Sequence, residues 1–399
     1  MDIRSNEPFW LIRNEFTESY PSLDESLETD VLIIGAGITG ALIAYKLVSE
    51  GRDVVVVDRR DVCNGSSAAT TAMLQYEIDV PLHQLMEIRG HETAAASYKA
   101  CEKSIFDLKK VTEEIKSDCH FEFKKSIWFT SDKKKQALLE KEFEARKAHE
   151  FEVNWLEEQE LNKLGVDGKY AIESISGAVV DPYKLANDLL KFCSLKGMKI
   201  YDRTEISKIK QKRKYIQAVT KNKHKIKAQH IIQCTGYESV SSLGKNLVDL
   251  KSTYAVASEA FDELPAAFQN HIYWNTESPY LYFRATSDGR IIVGGGDETF
   301  KNAKLRDKLL AKKMKFLTKE FQKCFPHIKF KPDYAWAGTF GETSDGLPYI
   351  GKPDPKKNEH FVLGFGGNGI TYSVMAMDAI IPSLENQPHD FLKYYHFKR

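Results

Sequence analysis

The stretch DVLIIGAGITGALIAYKLVSEGRDVVVVD, residues 30–58, admits few folds. Val31 to Ile34 are a continuous apolar run, the pattern of a parallel strand buried on both faces. Gly35, Gly37 and Gly40 follow at G-x-G-x-x-G spacing. The first permits a tight turn, the second lets backbone approach a pyrophosphate, and the third lets the next helix pack closely on the strand. Ile38 and Thr39 open that helix, and its N-terminus faces the phosphates. Ile38, Leu42, Ile43 and Leu47 recur at helical spacing. Val54 to Val57 form a second buried strand ending in Asp58, placed to accept hydrogen bonds from ribose hydroxyls. The pattern predicts a βαβ unit that holds a dinucleotide; the alternative is a buried glycine turn without a ligand.

A chain of 399 residues has room for two or three domain-sized units and a large core. Its net charge of +1 gives no clustered basic excess, so nucleic acid and acidic membrane surfaces are not expected partners. No run approaches the ~18 apolar residues of a membrane span. Residues 1–29 are polar apart from Phe9 to Ile12 and lack the apolar core of a signal peptide, so a cytoplasmic location is expected. Six scattered cysteines form no C-x-x-C pair and no His/Cys cluster at metal spacing. They read as reduced, mostly buried thiols.

Beyond Asp58, the run Gly65, Ser66, Ser67 and the small residues after it read as a loop entering a helix, suited to contact with a phosphate or ring edge, or else as an ordinary capped helix start. Residues 81–160 are charged and helical in pattern, with frequent i, i+4 Glu/Lys pairs. At VVDPYKLANDLL, Asp181 caps a helix with Pro182 at its first position. Three short strands, EISKIKQ, YIQAVTK and HKIKA, precede an apolar strand HIIQCTGY. Such a β-meander replaces a helical crossover in two-domain flavoproteins. Thr235 and Gly236 fall at the carboxyl end of that strand, where ligands bind in such sheets. YLYFRATSDGRIIVGGGDE reads as a hairpin around Asp288-Gly289. Residues 307–325 form an amphipathic helix stopped by Pro326. Near the end, an apolar strand meets Gly366, Gly367, Asn368 and Gly369 directly before an apolar helix, a second N-terminus with unhindered amides.

Together the segments IIGAGITG, VVVVDRR, GSSAATTAM, VVDPYKLANDLL, CTGY, YFRATSDGRIIVGGGDE, TSDGLPYIG and GFGGNGIT resemble the D-amino-acid-oxidase-like family of FAD-dependent oxidoreductases, the group of glycine, sarcosine and γ-glutamylputrescine oxidases. The resemblance implies an α/β architecture. A Rossmann-like FAD-binding domain with a β-meander, from residues 28–90, 175–250 and 335–399, accompanies an α+β substrate domain on a large mixed sheet from 91–174 and 251–334. It implies that Gly35, Gly37 and Gly40 cradle the pyrophosphate, Asp58 holds the ribose, and Arg59 or Arg60 lies near the adenine. Ser66 and Ser67 touch phosphate. Thr70, Thr71, Ala72 and Met73 run along the flavin. Ile206 meets the adenine side. Thr235, Gly236 and Gly338 adjoin the cofactor, and the amides of Gly367 to Ile370, with Thr371 beyond, face the flavin where negative charge collects. Relatives often carry Asn and Gly where this chain has Thr70 and Ala72. Neither the cysteine nor the histidine that attaches flavin in some relatives occurs at its position, so FAD is expected to be bound non-covalently.

The resemblance further implies hydride transfer from the α-carbon of an amine or amino acid to flavin N5, with oxygen or an electron carrier as the final acceptor. Positioning dominates such chemistry, so no catalytic triad is nominated. Arg284 is the candidate anchor for a substrate carboxylate, with an ion pair as its other reading. Tyr254, Tyr282 and Trp336 are candidate pocket walls or core residues. Oxidation of a 2-hydroxy acid, or a flavin-binding assembly role without turnover, are the competing functions.

Overall fold

The structure is a computed structural model and describes every residue except 1, 6, 16, 240–242, 244–246 and 365. Two sheets organise it. The first has Leu27–Ile34 at its centre, parallel to Lys225–Gln233 on one side and to Val54–Val57 on the other. Lys199–Tyr201 and Glu359–Leu363 extend it in parallel, and Tyr349–Gly351 closes one edge antiparallel. Val31 and Ile33 face one apolar cluster with the helices Ile38–Ser49, Pro182–Leu195 and Gly369–Glu385, whereas Leu32 and Ile34 face a second cluster against the meander. Burial on both faces is why the strand reads as unbroken apolar sequence. Asp181 caps its helix as expected, accepting from the amides of Tyr183 and Lys184.

The meander differs from expectation in one respect. HKIKA and HIIQ are a single strand, Lys225–Gln233, pairing antiparallel with Ile216–Thr220 through its first half and parallel with Leu27–Ile34. No glycine or proline interrupts residues 225–233, so nothing breaks the extended chain.

The larger sheet has the strand order Pro332–Glu342, Asp249–Ser258, Ile291–Thr299, Leu281–Ala285, His271–Asn275, Glu122–Thr130, Tyr170–Val179, Met73–Gln75, with Val153–Glu157 paired to Tyr170–Val179. The hairpin around Gly289 forms, with Ala285 opposite Ile291. Two strands, Glu122–Thr130 and Val153–Glu157, lie in the stretch whose charge pattern reads as helical. Met73–Gln75 and most of Pro332–Glu342, from residue 335 on, hydrogen bond within this larger sheet although they fall in stretches expected to be FAD-binding. The helix Ala303–Cys324 packs on it over a separate apolar cluster. The N-terminal residues fold back as well: the Thr339 amide donates to Ile3 O, the Ser5 amide to Ala337 O, and Phe9 and Trp10 are buried. Among the described residues no helix is long and apolar enough to cross a membrane.

Candidate active site

The glycine turn is fixed by steric necessity. A Cβ on Gly40 would lie 1.9 Å from Gly35 O, and one on Gly35, where φ is +105°, would lie 2.4 Å from Cys234 O. A Cβ on Gly37 would meet only the Ser67 hydroxyl, at 2.9 Å. Gly35 and Gly40 therefore serve the fold, and Gly37 keeps the approach to the helix N-terminus open. Ser67 Oγ accepts from the Ile38 amide at 2.8 Å, and Thr39 Oγ1 lies 2.7 Å from Ser373 Oγ on the closing helix.

A cavity of about 520 Å3 runs from this turn. Asp58, Arg59, Arg60 and Ile206 line it, as do Ser66, Ser67, Thr70, Met73, Thr235, Gly236 and Gly366 to Thr371. Asp58 accepts from the amides of Ala36 and Arg60, each at 2.8 Å, and burial raises its pKa against those bonds. Arg59 and Arg60 both pair with Glu238. The helix Gly369–Glu385 starts with no side-chain cap, and its first three residues, Gly369, Ile370 and Thr371, face the cavity. One expected donor there has a partner: the Gly367 amide bonds Asp79 Oδ2 at 2.8 Å. Asn368 directs its side-chain amide to the carbonyls of Gln75 and Glu77.

A second cavity, of about 150 Å3, shares the lining residues Thr70, Met73 and Gly366 to Asn368 with the first. Thr71, Ala72, Gly338 and Tyr282 line it, together with Asp79, Trp274, Tyr280 and Asp297, which the sequence reading passed over. Tyr254 and Trp336 border it, yet their rings are core: the Tyr254 hydroxyl reaches Arg306 O at 3.4 Å, and Trp336 Nε1 donates to Ala69 O at 2.8 Å.

Arg284 does not line either cavity. Alternation puts it on the same strand face as Tyr282, as expected. One step along, however, the loop Ala69 to Ala72 stands in front of it. Its Nη1 donates to the carbonyls of Thr71, Ala72 and Val180 at 3.0, 2.8 and 2.9 Å, its Nε to Ala285 O at 2.9 Å, and Trp10 lies 5.4 Å from the guanidinium. Burial lowers its pKa. The expectation of a carboxylate anchor is corrected to that of a brace. Trp10 Nε1 donates to Thr70 O at 2.7 Å, so Trp336, Trp10 and Arg284 between them hold four consecutive carbonyls, Ala69 to Ala72.

The acids of the smaller cavity are placed by backbone irregularity. Ser252 pairs with Glu298 but Tyr254 with Gly295, so Gly296 and Asp297 together oppose Thr253. That is a β-bulge, which re-aims a side chain. Gly295 and Gly296 have φ of +124° and +67°, and Gly294 has no Cβ because the Tyr282 ring lies where one would be, 2.1 Å away. The three glycines before an acid were the available signal for Asp297. Its Oδ1 is buried with no hydrogen-bond partner. Burial, with the charges of Glu342 and Asp79, pushes its pKa up to about 7 against Thr253 and Lys251. Asp79 is raised by burial too, opposed by the Gly367 amide and the Tyr280 hydroxyl.

Residues 30–379 match the family model described as FAD dependent oxidoreductase. Among curated proteins, a Bacillus subtilis protein provisionally named a Rieske 2Fe-2S iron-sulfur protein is 26% identical over 96% of this chain and 74% of its own length. The γ-glutamylputrescine oxidoreductase of Escherichia coli is 22% identical over 93% of this chain and 87% of its own. The crystal structure of glycine oxidase from Geobacillus kaustophilus shares the fold, with a TM-score of 0.77 at 18% identity over 93% of this chain and 99% of that one. With the matched segment spanning both sheets and both cavities, the chain belongs to the D-amino-acid-oxidase-like family of FAD-dependent oxidoreductases.

Proposed function

We propose that the chain oxidises the C–N bond of a small amine or amino acid, with FAD along the larger cavity and the substrate in the smaller. The carrying observation is that the two cavities share Thr70, Met73 and Gly366 to Asn368 in their walls, so a dinucleotide along the first would lie against the second. The residues fit such a group. Gly37 leaves a cradle that a Cβ would begin to fill, Asp58 keeps lone pairs for a ribose, and the first-turn amides of Gly369 to Thr371 suit the electron-rich side of a flavin. Bound FAD supplies a two-electron acceptor: a hydride leaves the carbon beside nitrogen, a proton leaves the nitrogen for water, and the resulting C=N bond hydrolyses. The chain contributes position, since donor and acceptor must approach to about 3–3.5 Å. The braced loop Ala69 to Ala72 and the Tyr282 ring fix the walls between which that approach occurs. The names of two relatives, γ-glutamylputrescine oxidoreductase and glycine oxidase, support C–N chemistry, while a glycerophosphate oxidase of the same fold keeps C–O oxidation as the competing reading.

The test follows flavin absorbance without air, and peroxide with air, during a screen of amines, D- and L-amino acids and hydroxy acids. Bleaching by a compound with an oxidisable C–N bond is expected, and peroxide shows whether oxygen or another carrier takes the electrons. Bleaching by hydroxy acids alone overturns the reading in favour of alcohol oxidation, and a flavin that no compound bleaches points to a binding role.

A further inference from the structure

The smaller cavity sets acidic side chains against aromatic walls. Asp79 and Asp297 both border it, and no lysine, arginine or histidine is among the described residues that do. The third acid there, Glu77, is compensated, with Oε1 3.3 Å from Arg146 Nη1 and 2.7 Å from Ser174 Oγ. Glu77 Oε2, Trp274 Nε1 and Asp297 Oδ1 are each buried without a hydrogen-bond partner, and Asp297 differs from the other two in that a β-bulge built on two positive-φ glycines aims it. A buried polar atom left without a partner is costly, so a bulge that keeps one at a cavity wall points to a ligand as the missing partner. The walls match that demand. Tyr280 stands 5.8 Å from Tyr282 and 6.3 Å from Trp274, centroid to centroid, and tyrosine and tryptophan faces attract cations. A substrate carboxylate in the same space would meet two acids and no basic side chain among the described lining residues.

We propose that this cavity recognises a positively charged group, with Asp297 as its counter-ion and Tyr280, Tyr282 and Trp274 around it, so that the substrate is a small aliphatic diamine rather than an α-amino acid. The proposal rests on the reading that the smaller cavity is the substrate site. One nitrogen is oxidised, as above, and the one paired with Asp297 keeps its proton throughout. The Asp297 charge is therefore a recognition element and not a base.

The experiment uses three four-carbon amines on the FAD-loaded enzyme: 1,4-diaminobutane, butylamine and 4-aminobutanoate, whose far ends are cationic, neutral and anionic. Anaerobic flavin bleaching should give the diamine a kcat/KM at least ten times that of butylamine, with 4-aminobutanoate lowest. Asp297→Asn, with its FAD content unchanged, should collapse the diamine-to-butylamine ratio to within about threefold of one. A readout without turnover accompanies it: tetramethylammonium chloride should shift the flavin absorbance bands of the wild-type enzyme, and sodium acetate should not. Preference for 4-aminobutanoate or glycine, a spectral shift with acetate alone, or a diamine preference surviving in Asp297→Asn overturns the proposal. If Asp297→Asn fails to fold, the order of the three amines on the wild-type enzyme decides. If no amine bleaches the flavin while tetramethylammonium still shifts its spectrum, the C–N reading falls and the charge assignment stands.

Discussion

Arg284 shows how far one side chain's neighbours control its meaning. A guanidinium is the natural partner of a carboxylate, and strand alternation does place this one beside a pocket tyrosine. Yet its donors are directed to backbone carbonyls at 2.8–3.0 Å, with Trp10 close by the guanidinium. Truncating it would leave buried carbonyls without donors, at about 1–3 kcal/mol for each one not rescued by water. The expected phenotype of Arg284→Ala is accordingly a lower Tm and a weaker grip on FAD, with the dissociation constant for FAD rising at least tenfold and KM for amines changing less. Equilibrium dialysis of FAD alongside thermal unfolding separates the two roles: a raised KM with normal Tm and normal FAD affinity would restore Arg284 as a substrate anchor. Arg284→Lys should recover little, because an ammonium lacks the planar fork that meets several carbonyls at once.

At the scale of elements, the strand Glu359–Leu363 and the helix Gly369–Glu385 are tied by His360, which is fully buried, with Nδ1 2.8 Å from Ser383 Oγ and Nε2 3.2 Å from His230 Nδ1. Burial lowers its pKa to about 2, from an ordinary 6.5. The unfolded chain therefore takes up a proton that the folded chain refuses. The His360 contribution is complete above pH 6.5 and falls as pH drops below it, by about 2 kcal/mol at pH 5. Asp297, raised to about 7, acts in the opposite sense. Urea unfolding of the wild type and His360→Gln at pH 5.0 and 7.5 isolates the histidine: the variant should lose less stability between the two, and equal losses would contradict this account. Elements whose signals are local were legible in the sequence: the βαβ unit, the Asp181 cap, the hairpin, and the glycines before the closing helix. Glu122–Thr130 was not. Its pattern is obscured by a buried lysine, Lys124, whose charge is met by Glu122 at 2.6 Å and by Gln269 O, a partner distant in sequence. Asp297 was missed for a related reason. Its aim depends on a register shift against Thr253, and pairing between strands is not written in either strand alone.

For the whole molecule, the four carbonyls from Ala69 to Ala72 are held by donors between 60 and 267 positions away: Trp10 before them, Arg284 and Trp336 far after. Contacts of such sequence separation form late, because chain entropy is lost before they reward it. On dilution from denaturant with FAD present, far-UV circular dichroism should recover ahead of the quenching of flavin fluorescence, and simultaneous recovery would show that the loop orders without its braces. The same wiring reaches back to synthesis. Ribosomes deliver residue 336 long after the glycine turn at residues 35–40, so a nascent or prematurely ended chain can complete its first βαβ unit while still lacking the brace on Ala69. A chain that ends before residue 336 is therefore expected to lack one of the four carbonyl braces of the Ala69 to Ala72 loop.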